Sequence, residues 1–85
     1  MSYYVYILQS LKTEGYYTGT TQDIPARLER HNQGRSKATK ARRPWQLVYS
    51  EAFESRAEAV RRENEIKGRK SKTYIETLVR ASRQT

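Results

Sequence analysis

One carboxylate, one guanidinium, one imidazole and a cluster of phenols stand in this chain where chemistry competes with packing. Glu63 falls at helical spacing among Ala59, Val60 and Ile66 in the run EAVRRENEIK. Those positions share one face of a 3.6-residue period, so the expected inward stripe of a helix carries an acid in its middle. A lone buried charge is costly, and Glu63 must be paired, hydrogen-bonded or metal-bound. A salt bridge to a neighbouring arginine would satisfy it. So would Mg²⁺, which keeps most of its waters and asks for only one or two carboxylates. Arg27 and His31, four residues apart, lie on a common stripe beside the inward face marked by Ile24 and Leu28. Each alone reads as a solvated or ion-paired side chain. Together they offer a planar fork suited to phosphate and a ring that titrates near neutrality.

The phenols raise a different question. Seven of the 85 residues are tyrosine, and Tyr4, Tyr6, Tyr16 and Tyr17 crowd into YVYIL and YYTGT. Tyr packs like Phe but brings a hydroxyl that needs a partner when buried. An isolated phenol has a pKa near 10, so about one in a thousand is ionised at pH 7, a deficit of roughly 4 kcal/mol for a base. Cationic neighbours such as Arg27, or a metal-held water, would have to close that gap. A strand tyrosine is more often packing than catalysis.

These residues need elements to hold them. YYVYILQS puts Tyr3, Val5 and Ile7 on one face and Tyr4, Tyr6 and Leu8 on the other, which predicts a central strand covered on both sides. LKTEG supplies a turn, and YYTGTT resumes as the second strand of a hairpin. Gly19 within it suggests a bulge or a close backbone approach. DIPARLERHNQG reads as a helix capped by Asp23, with Pro25 in its first turn and Gly34 as its stop. WQLVYSEAF predicts a third strand. The capping box SRAE at 55–58 starts a helix expected to run to about Lys67 and end at Gly68. SKTYIETLVRAS gives a last helix. The order is ββαβαα, a single α+β domain over residues 1–85 with a three-stranded sheet.

Composition narrows the function classes. The chain has no Cys and one His, which leaves neither a disulfide framework nor a zinc site. Its longest apolar run is far below a membrane span, and its N-terminus lacks the features of a signal peptide, so a cytoplasmic location is expected. The net charge of +8 is concentrated. Arg35, Lys37, Lys40, Arg42 and Arg43 lie in RSKATKARR, and Lys67, Arg69, Lys70 and Lys72 in KGRKSK, with no acid in either. The remaining residues carry eight basic and nine acidic groups. Charge gathered this way is a footprint for a polyanion, most often nucleic acid. The alternative is a pair of solvated loops.

Taken in order, YVY (4–6), YTG (17–19), RLERHNQG (27–34), RRPWQLVY (42–49) and EAVRRENEIK (58–67) resemble the GIY-YIG nuclease superfamily, in particular its small single-domain bacterial members. No piece is specific alone; five in the right order over residues 3 to 78 are. The resemblance implies a three-stranded antiparallel sheet flanked by helices and a metal-dependent endonuclease that hydrolyses DNA phosphodiesters, including branched or nicked structures. Position by position it implies catalytic roles for Tyr6, Tyr17, Arg27, His31 and Glu63, with Glu63 holding a single Mg²⁺ or Mn²⁺. Either tyrosine could serve as the base. The two basic stretches would grip the flanking backbone. Tyr4-Val5 stands where Gly-Ile is usual, Thr18 replaces Ile, and the stretch near residues 70 to 76 has no Asn where many members carry one. The alternatives are a catalytically weak or inactive nucleic-acid-binding module, and a subunit that needs a protein partner for activity.

Overall fold

The structure is a computed structural model that describes residues 2–83. Its elements follow the expected ββαβαα order: β1 (Tyr3–Ser10), β2 (Tyr16–Thr21), α1 (Ile24–Asn32), β3 (Trp45–Phe53), α2 (Arg56–Arg69) and α3 (Lys72–Arg83), with a short 3₁₀ turn at Lys40–Arg42. The three strands form one antiparallel sheet in the order β2-β1-β3. Among the described residues no helix is long and apolar enough to cross a membrane.

β1 is central because its side chains are apolar on both faces. Val5 and Ile7 are fully buried with Ala59 and Ile66 of α2, and Tyr74, Ile75 and Leu78 of α3 pack against them. On the opposite face, Tyr6 and Leu8 bury against Trp45, with Tyr17, Ile24 and Leu28 around them. The two thin cores therefore share a strand, and α1 lies on one side of the sheet while α2 and α3 lie on the other. The pairing of β1 with β3 slips between Ile7 and Leu8, which leaves Val48 as an extra residue on β3. Such a bulge adds local twist.

Local chemistry fixes the joints. The Asp23 carboxylate accepts from the Ala26 amide at 3.1 Å, Pro25 sits in the first turn of α1, and Gly34 takes φ 75° just past its end. The Ser55 hydroxyl accepts from the Glu58 amide at 3.2 Å to start α2. The β1–β2 turn hangs on Ser10, whose oxygen accepts from the amides of Lys12 and Thr13 and donates to the carbonyl of Arg42. Positive φ in that turn falls on Glu14 rather than on Gly15.

Two expectations for α2 need correction. Gly68 does not end it: the helix runs to Arg69, and Lys70 takes the left-handed conformation at φ 48°. Val60 is 37% exposed instead of facing inward, so the buried stripe is Ala59 and Ile66. Val60 lies outside the buried contact, in the border of a cleft with Thr20 and Thr21 of β2.

Candidate active site

The hairpin register brings the first two phenols together. Tyr6 pairs across the strands with Gly19 and Leu8 with Tyr17, so Tyr6 and Tyr17 are diagonal neighbours on one face. Their ring centroids are 6.3 Å apart. Gly19 is what lets the Tyr6 ring lie flat against the neighbouring strand: a Cβ there would sit 2.7 Å from the Tyr6 hydroxyl and 3.2 Å from the Tyr17 ring. The close approach expected at Gly19 is real, and the β1–β2 ladder passes it without a bulge.

α1 delivers an imidazole to the same place. His31 is only 2% exposed, and its Nε2 lies 3.0 Å from the Tyr6 hydroxyl. Its Nδ1 lies 2.7 Å from the hydroxyl of Thr39, which is fully buried. In one tautomer the phenol donates to Nε2 while Nδ1–H donates to Thr39; in the other both bonds reverse. The Tyr17 ring lies 5.0 Å from the imidazole at a 60° tilt and meets Trp45 edge-on at 6.3 Å. Tyr6, His31 and Thr39 thus form a hydrogen-bonded chain walled by aromatic rings.

Burial governs the electrostatics of this chain. It pushes the Tyr6 pKa up to about 12, with Tyr17 and Glu63 adding to the rise and Arg27 opposing it. It also holds His31 below its ordinary 6.5, helped by the positive charges of Arg27 and Arg30. At neutral pH the imidazole is therefore uncharged and the phenol protonated. A standing Tyr6 phenolate at pH 7 would cost about 7 kcal/mol.

Glu63 reaches the same region from α2. Its side chain is 17% exposed and its partner is Lys67, one helical turn on, rather than an arginine. Lys67 is itself 49% exposed, and its ammonium also lies 5.9 Å from the centre of the Tyr17 ring. A surface lysine on a flexible stem gives up such a pair at little cost. Among the described residues no three His, Cys, Asp or Glu side chains gather as a metal cage. A single carboxylate fits a hard divalent ion that retains most of its waters, and does not fit a zinc-like site. The arginine-bridged acid of α2 is Glu65 instead. It joins Arg62, which also bonds Glu51 at 3.0 Å and the Tyr74 hydroxyl at 2.9 Å, tying α2 to β3 and α3.

The basic stretches divide by environment. Lys37, Lys40 and Arg43 border a cavity of about 430 Å³ together with Lys12 from the β1–β2 turn, a residue that no charge run in the sequence marks. Arg42 is drawn inward, its guanidinium 5.1 Å from the Trp45 ring. Arg35 is exposed. Lys67, Lys70 and Lys72 line a separate cavity beside Tyr17, whereas Arg69 stacks on Tyr74 at 4.2 Å and is turned to the α2–α3 seam. Two further residues carry the site without having been signalled by sequence. Thr39 orients His31 and its carbonyl accepts the Trp45 indole N–H at 2.9 Å. The Asn32 side chain brackets the Trp45 backbone, accepting its N–H at 2.6 Å and donating to its carbonyl at 3.1 Å.

The sequence profile of the GIY-YIG catalytic domain matches residues 2–75. The chain belongs to the GIY-YIG family. It is 48% identical over 67 residues to the UPF0213 protein of Staphylococcus aureus strain Mu3, which covers 78% of this chain and 80% of that protein. UPF0213 protein SAV0488 of Staphylococcus aureus strain Mu50 matches to the same extent. The solution NMR structure of UPF0213 protein BH0048 from Bacillus halodurans is 41% identical, with a TM-score of 0.60, over 95% of this chain and 85% of that one. The expected family and the α+β fold are thereby established, and with them a nuclease-type fold of a kind that acts on DNA.

Proposed function

We propose that this chain is a divalent-metal-dependent endonuclease that hydrolyses DNA phosphodiester bonds, and that Tyr6 and His31 move the proton of the attacking water. The observation that carries this reading is the buried Tyr6–His31–Thr39 chain, with Arg27 and Glu63 near enough to act on the charge of Tyr6. The imidazole is kept neutral beside the phenol, so its unprotonated nitrogen can accept a proton.

In this mechanism the attacking water gives a proton to the Tyr6 oxygen as Tyr6 passes its own to Nε2 of His31. No standing phenolate is required, which removes the obstacle of the raised Tyr6 pKa. Nδ1–H of the resulting imidazolium donates to Thr39. The water oxygen bonds to phosphorus, the bond from phosphorus to the 3′ oxygen breaks, and the leaving oxygen takes a proton from solvent. Arg27 neutralises charge on the phosphate, and Tyr17 positions the imidazole and the phosphate. Glu63 would hold Mg²⁺ or Mn²⁺, which would supply positive charge to offset the negative charge that develops during hydrolysis.

The test is incubation with supercoiled plasmid and with branched DNA, in Mg²⁺ and in Mn²⁺, comparing wild type with Glu63→Ala. Cleavage by the wild type that falls at least 100-fold in the variant is expected, in line with loss of a principal electrostatic group. Equal residual cleavage by both proteins would identify a contaminant and remove the catalytic reading.

A further inference from the structure

A cavity of about 390 Å³ opens between the start of β2 and the α2–α3 turn, within the size range of small-molecule sites. Its floor is apolar, built from Tyr16, Tyr17, Ile66 and Ile75, and its rim carries the exposed lysines 67, 70 and 72. A groove built only to grip a duplex backbone would need the lysines and not the floor. Resting on the nuclease reading above, we propose that this cavity binds the base of an unpaired nucleotide in the strand being cut, so that the enzyme selects single-stranded or splayed DNA.

Three features converge on that occupant. A nucleotide joins a flat apolar ring to a phosphate, and the cavity joins aromatic and aliphatic surface to three ammonium groups; stacking platforms beside cationic grooves are how single strands are held. In a duplex the base faces are already stacked on one another, and only their edges and the phosphates are presented, so the floor would stay uncovered. The placement is also right. Tyr17 belongs to both the cavity and the aromatic wall of the catalytic chain, and Lys67 belongs to both the rim and the pair with Glu63. A base seated there lies about one helical turn from the carboxylate.

The other side of Glu63 is built differently. Along the same seam between β2 and α2, a second cavity of about 370 Å³ is bordered by Thr20, Thr21, Asp23, Arg27 and Arg56. Its two guanidiniums and two hydroxyls suit phosphate, Arg56 already lies over the Tyr3 ring at 5.8 Å, and Asp23 is engaged in capping α1. A strand lying along this seam would therefore set a base on the lysine side and its backbone on the arginine side, with the scissile bond between them.

The test is a binding measurement in EDTA, where no cutting can intervene. Fluorescence anisotropy compares a labelled short oligothymidylate with an abasic strand of the same length and charge, using the wild-type protein. The abasic strand is expected to bind about 5- to 150-fold more weakly, the range for losing one stacked base. Ile75→Ala should shrink that ratio towards one, whereas Lys72→Gln should weaken both strands equally. Equal affinity of the wild type for the two strands overturns the pocket, whatever the variants do. A protein that discriminates yet never cuts in Mg²⁺ or Mn²⁺ removes the nuclease reading and leaves the pocket standing; one that cuts without discriminating does the reverse.

Discussion

Gly19 and His31 carry the sharpest consequences for single residues. Alanine at position 19 would drive its methyl group to within 2.7 Å of the Tyr6 hydroxyl, so the phenol must swing away from His31. Gly19→Ala is expected to lower kcat by 100-fold or so, about the worth of a general acid-base group, while far-ultraviolet circular dichroism stays native. Unchanged kcat would free Tyr6 from its assigned part. Protonation of His31 is harder in the folded chain than in the unfolded one, because burial and then Arg27 and Arg30 hold its pKa below 6.5. The stability tied to its neutral form is complete above pH 6.5 and is lost as pH falls from 6.5 through the folded-state value. Urea midpoints of the wild type should therefore decline more steeply below pH 6.5 than those of His31→Gln, and kcat should fall over the same interval. Parallel curves for the two proteins would contradict this. The partial burial of Glu63 was legible from sequence, because an acid at helical spacing among apolar residues breaks a packing rule. Thr39 was not, since a small hydroxyl inside a cationic loop breaks none, and its eight-residue separation from His31 follows no period.

At the scale of elements, α2 shows where sequence signals mislead. Glycine followed by cations looks like a helix stop, yet Gly68 lies inside α2 with nothing near the position its side chain would take. The turn is made two residues later, by Lys70. Gly68→Ala is therefore expected to stabilise the fold by about 0.5–1 kcal/mol, through the smaller backbone entropy of the unfolded chain. Thermal denaturation would register this as a rise in Tm, and a fall would mean that the residue has a contact or conformation of its own. The remaining elements were legible because their signals agreed with one another: two-sided apolarity for β1, caps at Asp23 and Ser55, and a clear run for β3. Val60 was misplaced for a geometric reason, as periodicity gives the direction of a stripe but not the width of the surface that covers it.

Across the whole molecule, the excess charge is distributed between the loop after α1 and the α2–α3 turn, and these meet at the β1–β2 turn. Arg42 comes against Gly15, and Gly15 also borders the cavity ringed by Lys67, Lys70 and Lys72. The two cationic stretches thus come together at this turn. Three neutralised phosphates would give duplex affinity a log–log salt slope of about −3, and replacing Lys37, Lys40 and Arg43 together by Gln should make it shallower by roughly that amount. A slope indifferent to these changes would mean that DNA passes elsewhere. The loop that bears these cations is fastened from beneath by Thr39, whose hydroxyl meets the imidazole and whose carbonyl meets the indole. The cation-bearing loop and the imidazole therefore share one fastening. In the proposed nuclease, lifting this loop would break the Thr39 bond that orients His31 and so loosen the proton acceptor.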